Sequence, residues 1–197
     1  MDMSTYQKKT SLDDRIIFMK PGKQNVSTQF FTSKSFKESR LQKYVGFIHA
    51  FTGCDTTSCF YGKGKKKLHK ILLDNQDLLP LVDSFYDEKT SSVEVAECGS
   101  EIIARLYGTK AENKKKISLL DLRYKHFETS TIKDNFKLEC LPPSKGAAAQ
   151  HSYRVYHQLQ TWLGLKKDAT EWGWKPTSNV NTKLDEIYHD FIHEIRL

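Results

Sequence analysis

The sequence predicts a mainly α-helical fold with a small β element at its N-terminal end, an α/β remnant. Three features carry that prediction. From Ser39 onward, apolar residues recur at spacings of three and four, as in helices that bury one face. Glycine, proline and serine stand where such helices start and stop. Only "RIIFMK" and "NVSTQFFT", near the start, have β character.

Residues 1–14 are polar and read as a loose segment. "RIIFMK" (15–20) is a short apolar run closed by Pro21-Gly22, a strand followed by a turn. "NVSTQFFT" (25–32) makes the second strand of a hairpin. Two short strands do not persist alone in water, so this hairpin is expected to lean on another element. Residues 1–38 thus form a polar segment plus hairpin, and residues 39–197 a helical domain.

In that domain Leu41, Tyr44, Val45, Ile48 and Phe51 line one helical face over 39–52, and Gly53 ends the helix. Ser58–Tyr61 reads as a turn, and Gly62-Lys63-Gly64 breaks the chain again. "KKKLHKILL" (65–73) is the next helix, with Leu68, Ile71 and Leu72 inward and the lysines outward. "DLLPLVDSFY" (77–86) accommodates Pro80 in its first turn. "SVEVAECGSEIIARLYG" (92–108) ends on Gly108, and "ISLLDLRYKHFE" (117–128) follows a charged linker. A helix starting at Ser144 runs to Trp162 or Leu163, and "DEIYHDFIHEI" (185–195) closes a C-terminal helical bundle.

Composition narrows the function classes. The 197 residues suffice for one large domain, and eleven Phe, nine Tyr and three Trp argue for a packed core. The net charge of +7, from 31 basic against 24 acidic residues, suits a polyanionic partner, DNA or RNA. No apolar run approaches the ~20 residues that span a bilayer, so no membrane partner is expected. The first residues lack an apolar signal core, and Cys54, Cys59, Cys98 and Cys140 form no Cys-x-x-Cys pair. An intracellular location with reduced thiols, in nucleus or cytoplasm, is the expectation.

The stretch "FTGCDTTSCFYGKGKKKLHKIL" (51–72) concentrates the chemistry. A helix, a Gly-x-Gly hairpin and a second helix, here at about 45–73, form a phosphate grip. Gly62 and Gly64 permit positive φ and close backbone approach. The free N–H groups of the second helix, with its dipole, then face an anion. Lys63, Lys65, Lys66, Lys67 and Lys70 add charge, and binding of this kind reads backbone rather than bases. A glycine turn beside a solvated lysine face explains the same residues without a ligand.

The order "GCD" (53–55), "GKG" (62–64), "KKKLHKIL" (65–72) resembles the helix–hairpin–helix entry of the flap-endonuclease-like group of PIN-type nucleases. The resemblance covers residues 45 to 75 and lies in the ordered set rather than in any one piece. It implies that Asp55 belongs to a divalent-metal site for Mg²⁺ or Mn²⁺, whose two ions clamp the oxygens of a phosphodiester. A wider likeness runs through "IFMKPGK", "FIHAFTGCDTTSCFYGKGKKK", "LPPS…AAAQHSYRVYHQLQTWLG" and "EWGW". These segments look like a family of multicopy animal proteins of suspected mobile-element origin, which brings no established activity with it.

The chain departs from the nuclease pattern ahead of Asp55. The acidic residues there are Asp2, Asp13, Asp14 and Glu38, and none forms an Asp-x-Asp at a strand end. One carboxylate does not hold two metals, so no catalytic residue is assigned and little or no nuclease activity is expected. Asp55 is left either to cap its own turn, accepting N–H bonds from Thr57 or Ser58, or to hold one hydrated cation. The turn chemistry of "DTTS" favours the cap. The sequence thus points to a catalytically incomplete nuclease-like protein or fragment gripping nucleic-acid backbone. The alternative is a non-catalytic interaction or DNA-binding module of a mobile-element-derived protein.

Other groupings are weaker. Cys54, Asp55, Cys59, His49 and His69 match no common zinc spacing. His189 and His193 stand four apart with Asp185 near, but without the Glu of His-Glu-x-x-His. Gln150, Arg154, His157 and Gln158 share a helical face, with Tyr153, Tyr156 and Trp162 available for packing, and "EWGW" (171–174) reads as a packing clasp.

Overall fold

A computed structural model describes residues 17–32, 39–109, 118–131 and 136–176. The expected helix over 185–195, the His189–His193 pair and the upstream carboxylates Asp2, Asp13, Asp14 and Glu38 lie outside those residues. The described chain is mainly helical behind a small antiparallel hairpin, as the patterning predicts.

Strand β1 (Phe18–Lys20) pairs antiparallel with β2 (Gln29–Phe31), with Phe18 opposite Phe31 and Lys20 opposite Gln29. Gly22 N donates to Thr28 Oγ1 at 3.2 Å, tying down the connection. The expectation that this hairpin leans on a neighbour is not met among the described residues. None of its side chains joins the buried core, and Met19 and Phe30 remain 54% and 64% exposed. Strands of three residues carry too few side chains on one face to cover that apolar surface themselves.

Ser39–Tyr44 form a 3₁₀ segment that runs into α1 (Val45–Phe51). Leu41, Tyr44, Ile48 and Phe51 are buried as the spacing requires, whereas Val45 is half-buried. The N–H of Phe47, in the first turn of α1, donates to the Tyr86 hydroxyl at 3.0 Å, which supplies the cap that Tyr44 does not. Helix α2 (Lys65–Asp74) buries Leu68 and Leu72. Helix α3 (Leu79–Asp83) carries Pro80 in its first turn and is shorter than the sequence suggests, with 3₁₀ turn Gln76–Leu78 before it.

Helix α4 (Ser92–Leu106) starts at Ser91, whose side chain accepts from Glu94 N. It ends on Gly108, at φ 103°, with Thr109 N donating to Ala104 O and Gly108 N to Arg105 O. That is a Schellman stop, and it needs the left-handed conformation that glycine takes without strain. Helix α5 (Leu119–Thr131) is capped by Ser118, whose Oγ accepts from Asp121 N at 3.1 Å. Helix α6 (Lys145–Trp162) starts at Ser144, as the sequence indicates, and Ala147 N donates to that Ser144 Oγ.

Helices α4 and α6 form the centre of the fold, and α1 packs on α6 beside them. Phe47, Phe51, Phe85, Ile102, Ile103, Val155 and Leu159 fill the space between them. Arg105 ties the α2–α3 connection to α4, reaching Asn75 Oδ1, Asp77 Oδ2 and Glu101 Oε1 at 2.9–3.2 Å. The clasp holds: Trp172 is buried on Tyr156, with ring centroids 4.2 Å apart. Among the described residues no helix is long and apolar enough to cross a membrane.

Candidate nucleic-acid interface

The connection between α1 and α2 carries Gly62, Lys63 and Gly64 of the expected grip, and the first turns of α2 carry Lys65, Lys66, Lys67 and Lys70. Helix α1 stops because Gly53 takes φ 106°, and the chain then folds back so closely that Cys59 Cβ would lie 2.7 Å from a Cβ added at Gly53. Any side chain there meets both a strained φ and the wall of its own loop.

Asp55 sits exposed at the tip of the next turn and does not cap it. The turn is closed by Thr57. Its backbone exchanges two bonds with Cys54, and its hydroxyl accepts from Cys54 N at 3.1 Å while donating to Ala50 O at 2.6 Å. Thr57 is buried and Asp55 is not, so the hydroxyl outcompetes the carboxylate for the N–H groups of this turn. The expected Asp55 cap is therefore corrected to Thr57. Thr56 next to it donates to Gln158 Oε1 on α6.

Ser58 and Phe60 anchor the loop to α6. His151 is buried, donates from Nε2 to Phe51 O at 3.1 Å and faces Ser58 Oγ from Nδ1 at 3.4 Å. A carbonyl only accepts, so Nε2 bears the proton and Nδ1 receives the serine hydroxyl. Burial holds the His151 pKa down to about 4, so the ring is neutral at ordinary pH. Phe60 packs against the same ring at 4.7 Å.

Beyond Phe60 the chain makes a type II turn: Lys63 N donates to Phe60 O at 3.0 Å, and Gly62 holds φ 65°. Only Gly62 uses the left-handed region. Gly64 is extended, at φ −77° and ψ −177°, and does not use the positive φ that glycine permits. Gly64 serves instead as the N-cap of α2, offers no side chain to its N–H groups, and accepts from Lys67 N and Leu68 N through its carbonyl.

The lysines divide into two kinds. Lys65, Lys66, Lys67 and Lys70 are exposed, and Lys65 Nζ also donates back to Gly53 O at 3.3 Å. Lys63 is half-buried, its Nζ 4.7 Å above the Tyr107 ring. Burial first, and the neighbouring Lys67 charge second, bring its pKa down to about 8. Lys63 is thus not part of a uniformly solvated face, and hydrophobic spacing in the sequence gives no sign of this.

His49 stacks on Trp162 at 5.8 Å, and burial together with Lys65 holds its pKa below the usual histidine value, opposed by Asp55. Among the described residues no group of three or more His, Cys, Asp or Glu side chains comes together as a metal site requires. Cys54 Sγ hydrogen-bonds Thr56 and Thr57 rather than facing Cys59 or His69 as a ligand set, and none of the four cysteines is in a disulfide. Asp55 with the donors around it does not fit a two-metal clamp. On α6, Arg154 Nε donates to Gly173 O and His157 Nε2 to Lys167 O, so these two side chains brace the C-terminal clasp instead of lining an open groove.

Fold and site together define a helical protein with a basic, glycine-turned helix start on its surface. The chain matches no protein-family model, no curated protein and no solved structure.

Proposed function

We propose that this chain is a flap-endonuclease-like, PIN-type protein or fragment, catalytically incomplete, that grips nucleic-acid backbone without sequence preference through residues 53–70. In this reading α1, the loop and α2 serve as a helix–hairpin–helix. One observation supports it above the others: the type II turn at Gly62 delivers α2 with an uncapped N-terminus in the midst of exposed Lys65, Lys66 and Lys67. Phosphate contacts of this kind act through charge and so weaken steeply with salt.

Changing Lys65, Lys66 and Lys67 together to Glu tests the reading. These side chains are exposed, so the fold is retained, and retention of DNA and RNA in a mobility assay at low salt is expected to vanish. Unchanged retention moves the site elsewhere.

That no metal-binding group of side chains forms around Asp55 among the described residues favours a second reading, in which the chain is a non-catalytic interaction or DNA-binding module of a mobile-element-derived protein. The two readings share the grip and the expected lack of cleavage, and differ in the origin of the fold.

A further inference from the structure

A second surface, beside the glycine turn, joins exposed aromatic rings to cations. Tyr61 occupies the turn position ahead of Gly62 and is 50% exposed, although its neighbour Phe60 is buried. Lys137 Nζ lies 5.9 Å from the centre of the Tyr61 ring. Next to Lys137 in the chain, Phe136 meets Phe127 of α5 edge to face at 5.7 Å, and Phe127 is 42% exposed. On the other side of the turn come Lys63 and then the lysine run of α2.

We infer that Tyr61, flanked by Lys137 and the α2 lysines and continued by Phe127, is a stacking platform for an unpaired base, and that the preferred partner is therefore single-stranded nucleic acid. The inference rests on the nucleic-acid reading above and names the substrate class within it. In a duplex both faces of each base are already stacked, so an exposed ring gains nothing there. An unpaired base offers a free face, and a ring beside cations holds base and phosphates together. The type II turn accepts almost any residue at the Tyr61 position, so the turn itself does not require an aromatic.

The control is Tyr124. It is 62% exposed on α5, but its hydroxyl is hydrogen-bonded to Glu128, whose carboxylate repels a phosphate backbone. Fluorescence anisotropy with labelled oligothymidylate and with a duplex hairpin of equal length, at low salt, makes the test. The wild-type protein is expected to prefer the single strand. Tyr61→Ala is expected to lose about tenfold in affinity for it, the scale of one lost base stack. Tyr61→Phe and Tyr124→Ala are expected to retain it, and circular dichroism verifies that each variant is folded. An unchanged single-strand affinity in Tyr61→Ala, with binding still lost in the triple lysine variant, overturns the stacking platform and leaves the backbone grip standing. A wild-type preference for duplex overturns it equally. Binding to neither probe overturns both.

Discussion

His151 Nε2 donates to Phe51 O across 3.1 Å, joining residues a hundred positions apart and fixing the "GCDTTS" loop to α6. Nδ1 accepts from Ser58 only while the ring is neutral; protonation leaves the Nε2 donation in place but removes that acceptor and puts a charge in a buried site. In the folded protein its pKa is about 4, against an ordinary value near 6.5 in the unfolded chain. As pH falls below 6.5 the unfolded chain takes up a proton that the folded chain refuses. The stability due to the neutral ring is present above pH 6.5 and is lost as pH falls toward 4. Thermal melts at steps across this window are expected to show a falling midpoint. His151→Gln, though less stable, is expected to show a shallower fall, with His49 supplying part of what remains. An unaltered slope in that variant would place the titration elsewhere.

Thr57, not Asp55, holds the turn of the "GCD" segment, and substitution of the two residues is expected to have unequal effects. Thr57→Val keeps the shape but leaves Ala50 O without its hydroxyl donor, at a cost of about 1–3 kcal/mol in denaturant unfolding. Asp55→Ala is expected to change stability by less than about 0.5 kcal/mol, as for other exposed positions. Cleavage of nucleic acid with Mg²⁺ or Mn²⁺ is expected to be absent in both wild type and Asp55→Ala. Robust cleavage that disappears in Asp55→Ala would overturn the catalytic incompleteness of both readings.

Gly99 of α4 meets Ser152 of α6 at a close approach of the two helices. A Cβ added at Gly99 would lie 1.8 Å from Ser152 Oγ and 2.7 Å from Ser152 Cβ. Gly99→Ala would ordinarily help a helix, yet here it is expected to destabilise by about 2 kcal/mol through overpacking. Ser152→Gly removes both clashing atoms. A double variant less stable than the sum of the two single changes would refute the steric account.

Much of this fold is legible in the sequence because its helices are amphipathic and plainly punctuated. Ser91, Ser144 and Gly108 stand at the termini where local hydrogen bonding demands them, and apolar spacing locates α2, α4 and α6. The glycine turn and the lysine-rich helix start are legible in the same way, since both are local features. Gly64 takes extended backbone as the N-cap, which glycine adopts as readily as the left-handed region, so its type alone does not say which it uses.

By itself the sequence determined where the helices run, the hairpin at the front and the sign of the surface charge, because each depends on residues a few positions apart. Only the tertiary structure decided which side chain closes the Asp55 turn, which lysine is half-buried, and which aromatic stands beside a cation. Thr57 prevails because burial strengthens its hydroxyl bonds. Lys63 loses its proton readily because Tyr107 and Lys67 crowd it. Tyr61 finds Lys137 because α4, α5 and the segment before α6 are brought beside the turn. Each is a contact between distant parts of the chain, and only close packing of those parts brings such partners together.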